Sequence, residues 1–183
     1  SQDNLVTNGA FASDVTTGWI TGASLSVGHD TANYGVASGA ASMAGAGSMA
    51  GSGAYLYQNA AFTAGDIGKR FRIEASVARS AGSGALEIGR GYKKVGEFDG
   101  TEFNHPASST HWSDFSSTVT SIAAGAGSLT WNKIVILAIA TTDTTSGHYP
   151  NLSFAAPSGT TWVIDDVSVT QIGCVAEYLP SGI

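Results

Sequence analysis

The residues best placed to do chemistry are two adjacent carboxylates, Asp165 and Asp166, in the middle of Thr161-Trp162-Val163-Ile164-Asp165-Asp166-Val167-Ser168-Val169. The β-branched and aromatic residues around them predict a strand, where an ionised group is costly to bury without a partner. Something must therefore face them. The expected partner is the other end of the chain, where Asn4-Leu5-Val6-Thr7-Asn8-Gly9-Ala10-Phe11 reads as a short strand followed by an Asn-Gly turn with backbone N–H groups and carbonyls to offer. The bland alternative is that Asp165 caps the N–H groups of a neighbouring turn. Adjacent residues on a strand point to opposite faces, so the two aspartates cannot act as a working pair across one bond. Glu97, Asp99 and Glu102 lie together in an expected loop, which gives a general acid no rigid support. His29, His105, His111 and His148 are isolated, without zinc-ligand spacing, and Cys174 is the single cysteine. Nothing in this set argues for an enzyme.

A different chemistry needs flat rings and directed hydrogen bonds. Tyr and Trp offer platforms to the C–H faces of pyranose rings, while Asn, Gln, Arg, Asp and Glu address hydroxyls. Tyr55 and Tyr57 are two apart and share a face, as do Arg90 and Tyr92. The strand carrying Arg90 and Tyr92 leads into Lys93 to Thr110, which reads as the longest irregular segment and is rich in aromatic and hydrogen-bonding residues. Loops of that length in compact domains are functional or disordered. The alternative for the tyrosines is packing in the core.

The elements that must position these residues read as all-β. Gly, Ala, Ser and Thr dominate, while Lys, Glu and Leu are too few for long helices. Arg70 to Arg79 shows the cleanest period of two, with Phe71, Ile73, Ala75 and Val77 on one face and Arg70, Arg72, Glu74 and Ser76 on the other. Ser24 to Val27, Ala54 to Phe62, Leu86 to Tyr92 and Trp112 to Thr120 read as further strands. Leu129 to Ile139 is apolar on both faces toward its end and reads as a central strand. The small-residue run from Ala37 to Ala54 reads as a strand and a close-packed turn, with a disordered linker as the alternative, and Thr141 to Gly159 as a polar loop interrupted by Tyr149 to Phe154.

In order and spacing, Asn4-Leu5-Val6-Thr7-Asn8-Gly9-Ala10-Phe11, Gly18-Trp19, Tyr57-Gln58, Trp112 with Phe115, and Ile164-Asp165-Asp166-Val167-Ser168-Val169 resemble the β-jelly-roll carbohydrate-binding modules of the family 4 and 9 type. The resemblance implies a two-sheet antiparallel β-sandwich over residues 1–172 that binds glycans without catalysis. It implies sugar contacts at Tyr55 and Gln58, at Arg90 and Tyr92, and at Lys133, with Trp19, Trp112 and Trp162 between the sheets. It also implies a structural calcium on Asp165, though Ala12 stands where an acidic ligand is common and Ser38 to Ser48 offers no carboxylate. No other cofactor is implied.

Partners and setting are bounded more coarsely. The formal net charge is −6 and the eight basic residues form no extended patch, which excludes nucleic acid as an expected partner. No apolar run is long enough to cross a bilayer. The tail, residues 173–183, reads as a linker to a following domain and resembles junctions in bacteriophage tail-fibre proteins. The expected setting is thus a virion tail fibre, or else a secreted protein, with a homotrimer supplying several glycan sites. The competing expectation is a structural sandwich that binds no sugar.

Overall fold

The computed structural model describes residues 3–36, 38–52, 54–59, 66–141 and 151–173. Its strands are β1 (Ile20–Thr21), β2 (Ser26–Asp30), β3 (Ala40–Ala44), β4 (Leu56–Gln58), β5 (Arg70–Ala81), β6 (Leu86–Arg90), β7 (Lys93–Phe98), β8 (Phe103–Asn104), β9 (Trp112–Ile122), β10 (Trp131–Ala140), β11 (Leu152–Ala155) and β12 (Thr161–Ile172). A helical turn, α1 (Met49–Ser52), lies between β3 and β4. All pairings are antiparallel, giving a first sheet in the order β1-β4-β11-β6-β7-β8 and a second in the order β2-β3-β12-β5-β10-β9. The two six-stranded sheets form a jelly-roll sandwich. No helix among the described residues is long and apolar enough to cross a membrane.

The period-two pattern of β5 builds the middle of the core. Phe71, Ile73, Ala75 and Val77 all turn inward, and the first three stand opposite Ala138, Ile136 and Ile134 of β10. Leu56, Ile88, Leu152 and Phe154 of the first sheet belong to the same core. Burial of each such large side chain contributes about 1.5–3 kcal/mol. Trp19, Trp112 and Trp162 are buried there as expected. Trp131 is also buried, but in a satellite cluster on the outer face of the second sheet, with Ala40, Ala78 and Val163 packed against Tyr34.

Several elements depart from the sequence reading. The segment 4–11 forms no strand, although the chain ends are neighbours: Leu5 N donates to Val169 O at 2.8 Å and Val167 N to Gly9 O at 2.9 Å. The Asn4 carboxamide oxygen takes the place of a ladder partner by accepting from Val169 N at 3.0 Å. Asn8 has a φ of 51°, as the Asn-Gly turn requires. The segment 93–110 is not one irregular loop, because β7 and β8 pair across a tight turn at 99–102 and only 105–111 leaves the ladder. The apolar stretch near Phe154 is a buried strand, β11, between β4 and β6. Residues 60–65, 142–150 and 174–183 lie outside the described residues, and with them part of the expected strand from Ala54 to Phe62, His148, Cys174 and the expected linker.

Candidate functional site

The outer face of the first sheet carries a cavity with aromatic and polar borders. Leu56 points into the core, so Tyr57 points out, and Tyr55 packs edge-on against it at 5.4 Å, buried with Met49 and Ala155. The segment around α1 lies across this face. Glu87 anchors it, accepting from Met49 N at 2.7 Å and from Ser48 Oγ at 2.9 Å. Between this segment and residues 106–110 is a cavity of about 490 Å³ bordered by Ser48, Tyr92, Lys93, Lys94, Ser109 and Thr110.

Charge in the cavity is uneven. Lys94 pairs with Glu97 at 2.8 Å and reaches Glu87 at 3.8 Å, and the hydrogen bond to Glu97 is the main reason its pKa is raised. The Lys93 ammonium lies 5.0 Å from the Tyr92 ring centroid. Among the described residues no carboxylate is within ion-pair distance of Lys93. Burial pushes the Tyr55 phenol up, and Tyr57 and Tyr92 add to the shift, which places the three phenols in one neighbourhood. The cavity thus offers an aromatic face, hydroxyls and cationic donors.

The five expected contact residues do not converge. Tyr92 borders the cavity and Tyr55 is buried behind the same face. Gln58 turns inward and is buried; its carboxamide accepts from Thr7 N at 2.6 Å and donates to Thr7 O at 2.8 Å, clamping the N-terminal segment to β4. Arg90 is fully buried, with its guanidinium 4.8 Å over Trp112 and Nη2 donating to His111 O at 3.0 Å. A desolvated cation–π contact of this kind contributes about 2 kcal/mol. Gly91, at a φ of 53°, breaks the strand, so Arg90 and Tyr92 do not share the face that their spacing implies. The His111 imidazole behind the cavity is pushed below its usual pKa by burial, then by the charges of Arg90 and Lys93.

Lys133 lies on the other sheet. There it pairs with Glu74 at 3.4 Å, and Arg72 holds the same carboxylate at 2.9 Å. Burial pushes Glu74 up, but the Arg72 hydrogen bond and the Lys133 charge outweigh it and leave the pKa lowered. Sequence reasoning missed Lys93, Lys94 and the hydroxyls of 108–110 as cavity residues. The adjacent Lys93-Lys94 after Tyr92 was a visible signal, whereas the approach of α1 from across the fold was not.

Asp165 is fully buried, and its partner is not the N-terminal segment. One carboxylate oxygen accepts from Gly35 N at 3.0 Å and Val36 N at 2.8 Å, and the other from Asp166 N at 2.7 Å. Asp166 sits at a φ of 48° in a bulge of β12, which lets its own N–H fold back onto Asp165. Asp165 therefore caps the turn at 35–36. Burial raises its pKa against the opposing pull of the three N–H groups. A hard cation on this carboxylate would face those N–H donors, and no group of three His, Cys, Asp or Glu among the described residues could hold a metal. The Asp165 carboxylate on which the resemblance places a calcium is thus engaged by three N–H donors.

No family model and no curated protein sequence matches the chain. Among solved structures, it is similar to the CBM22-1 xylan-binding domain from Paenibacillus barcinonensis Xyn10C, with a TM-score of 0.55 and 12% identity over 96% of this chain and 98% of that one. It is also similar to the N-terminal CBM22-1-CBM22-2 tandem domain of the same protein, with a TM-score of 0.56 and 13% identity over 98% of this chain and 48% of that one. These neighbours are carbohydrate-binding modules of type 22, not of the family 4 and 9 type that the sequence resembles, and at such identity what is shared is the β-sandwich fold.

Proposed function

We propose that this chain is a non-catalytic glycan-binding module whose contact site is the cavity at Tyr92. One observation carries the reading: a cavity of about 490 Å³ joins the Tyr92 ring, the hydroxyls of Ser109 and Thr110, and the ammonium groups of Lys93 and Lys94. An aromatic platform rimmed by hydrogen-bonding groups is the chemistry that sugar recognition needs. The fold supports the same reading, since a structural neighbour is a xylan-binding domain. Lys94 ties Glu97 and Glu87 together as acceptors, which supports binding over acid catalysis. The setting we propose is a surface or fibre protein, such as a phage tail fibre, in which trimeric display multiplies weak individual sites.

The test is a glycan array that includes bacterial surface polysaccharides, probed with multivalent display of the protein and of Tyr92→Ala. Binding to one coherent glycan class, weakened about tenfold or more in a folded Tyr92→Ala, is expected. Silence across the array would favour the second reading, a structural β-sandwich. That reading draws on Gln58 and Arg90, which hold the fold together and face no solvent.

A further inference from the structure

A second cavity, of about 320 Å³, lies at the far end of the sandwich, where the end of β5, the start of β12, the turn after β7 and the segment before β10 meet. It is bordered by Arg79, Phe98, Leu129, Thr130, Asn132 and Trp162. Lys93 and Phe98 stand at opposite ends of β7, so roughly 17 Å of strand separates the two cavities.

Arg79 is held there in one orientation. Its guanidinium lies 5.4 Å over the Trp162 ring, and Nη1 donates to Asp99 O at 2.8 Å and Ser83 O at 3.3 Å. The turn crosses close by at Gly100, whose φ of 106° excludes most side chains and where a Cβ would stand 3.1 Å from Arg79 Nη2. All of these fixing contacts are neutral. Among the described residues no carboxylate is ion-paired with Arg79, and its Nε and Nη2 have no hydrogen-bond partner. The Asp99 carboxylate is occupied by its own turn, accepting from Thr101 N and Glu102 N, both at 2.8 Å. The result is an oriented guanidinium without an ion pair among the described residues, although its charge helps hold the nearby Asp99 carboxylate below its usual pKa, in a small cavity also bordered by Asn132, Thr130 and Leu129.

We propose that this cavity is a second saccharide site, selective for a sugar that bears a carboxylate, such as a uronic acid. The carboxylate accepts the two parallel N–H groups of Nε and Nη2, a geometry that a planar guanidinium matches and an ammonium does not. Asn132 and Thr130 address ring hydroxyls, and the half-buried Leu129 covers the apolar face of the ring. The net charge of −6 gives an acidic sugar no general attraction to this protein, so affinity must arise from the local arrangement. The proposal stands apart from the Tyr92 cavity and does not depend on it.

The test titrates glucuronate, glucose and acetate separately into the isotope-labelled 183-residue chain and follows amide and indole resonances. Glucuronate should shift the Trp162 indole, Gly100 and Asn132 signals saturably, while glucose and acetate should not. Arg79→Gln should weaken glucuronate about tenfold or more. Arg79→Lys should also weaken it, because the charge remains but the fork is lost. Should loss of Arg79 unfold the turn, Asn132→Ala provides a milder probe, expected to weaken binding about threefold. Shifts confined to Tyr92, Lys93 and Lys94, an equal response to glucose or acetate, or unchanged affinity in every folded variant would overturn the proposal. Loss of array binding in Tyr92→Ala reads the other cavity, so failure of one site is distinguishable from failure of the other.

Discussion

On the outer face of the second sheet, Arg72 and Lys133 close on one carboxylate, Glu74, which also accepts from Ser168 Oγ at 3.2 Å. On the outer face of the first sheet, Lys94 is matched by Glu97 and Glu87 while Lys93 next to it has no carboxylate partner among the described residues. The second sheet is also covered at one end, where the loop at 31–36 folds over Trp131 and Val163 and delivers two N–H groups to Asp165. The contrast teaches where to look for a ligand. Charges that satisfy one another hold a surface in place, whereas a cation left beside an aromatic ring in a cavity has interactions to give.

The comparison can be broken at either end. Asp165→Ala would remove the acceptor of three N–H groups, of which the Gly35 bond is buried and the other two are part-buried, and should lower stability by about 2–3 kcal/mol, read by urea denaturation. Chelator should not change the stability of the unaltered protein; a chelator-dependent loss would restore a metal role for Asp165. Gln58→Ala releases both hydrogen bonds to Thr7 and should cost about 1–2 kcal/mol, with faster amide exchange over residues 4–9 and glycan binding retained. A binding loss there at unchanged stability would return Gln58 to the contact set. Lys133→Ala removes a partly exposed partner of a shared carboxylate and should change stability by about 0.5 kcal/mol or less, with no effect on glycan binding.

Much of the fold was legible because the core obeys a simple period. The alternation of Phe71, Ile73, Ala75 and Val77 predicted β5, and the apolar run from Ile134 to Ile139 predicted an interior strand. The site was less legible, since each misplaced residue depends on a break in that period or on a distant segment. Gly91 turns Tyr92 away from the face of Arg90, a one-residue event that spacing does not reveal. The register shift between Ile88 and Gly89, with the tight turn at 99–102, disguised β7 and β8 as a loop. The acceptor role of Asp165 depends on Gly35 and Val36, about 130 residues away in the chain. Parity correctly places Lys133 on an outer face, but it does not say which sheet lies beneath Tyr92.

The most direct test of the account is chemical-shift mapping of the protein with an oligosaccharide selected by the array. The account predicts that the shifts concentrate on Tyr92, Lys93, Lys94 and residues 108–110, leaving Arg72, Glu74, Lys133 and Val135 unmoved. Shifts that run instead along the outer face of β5 and β10 would contradict it and place the contact surface on the second sheet.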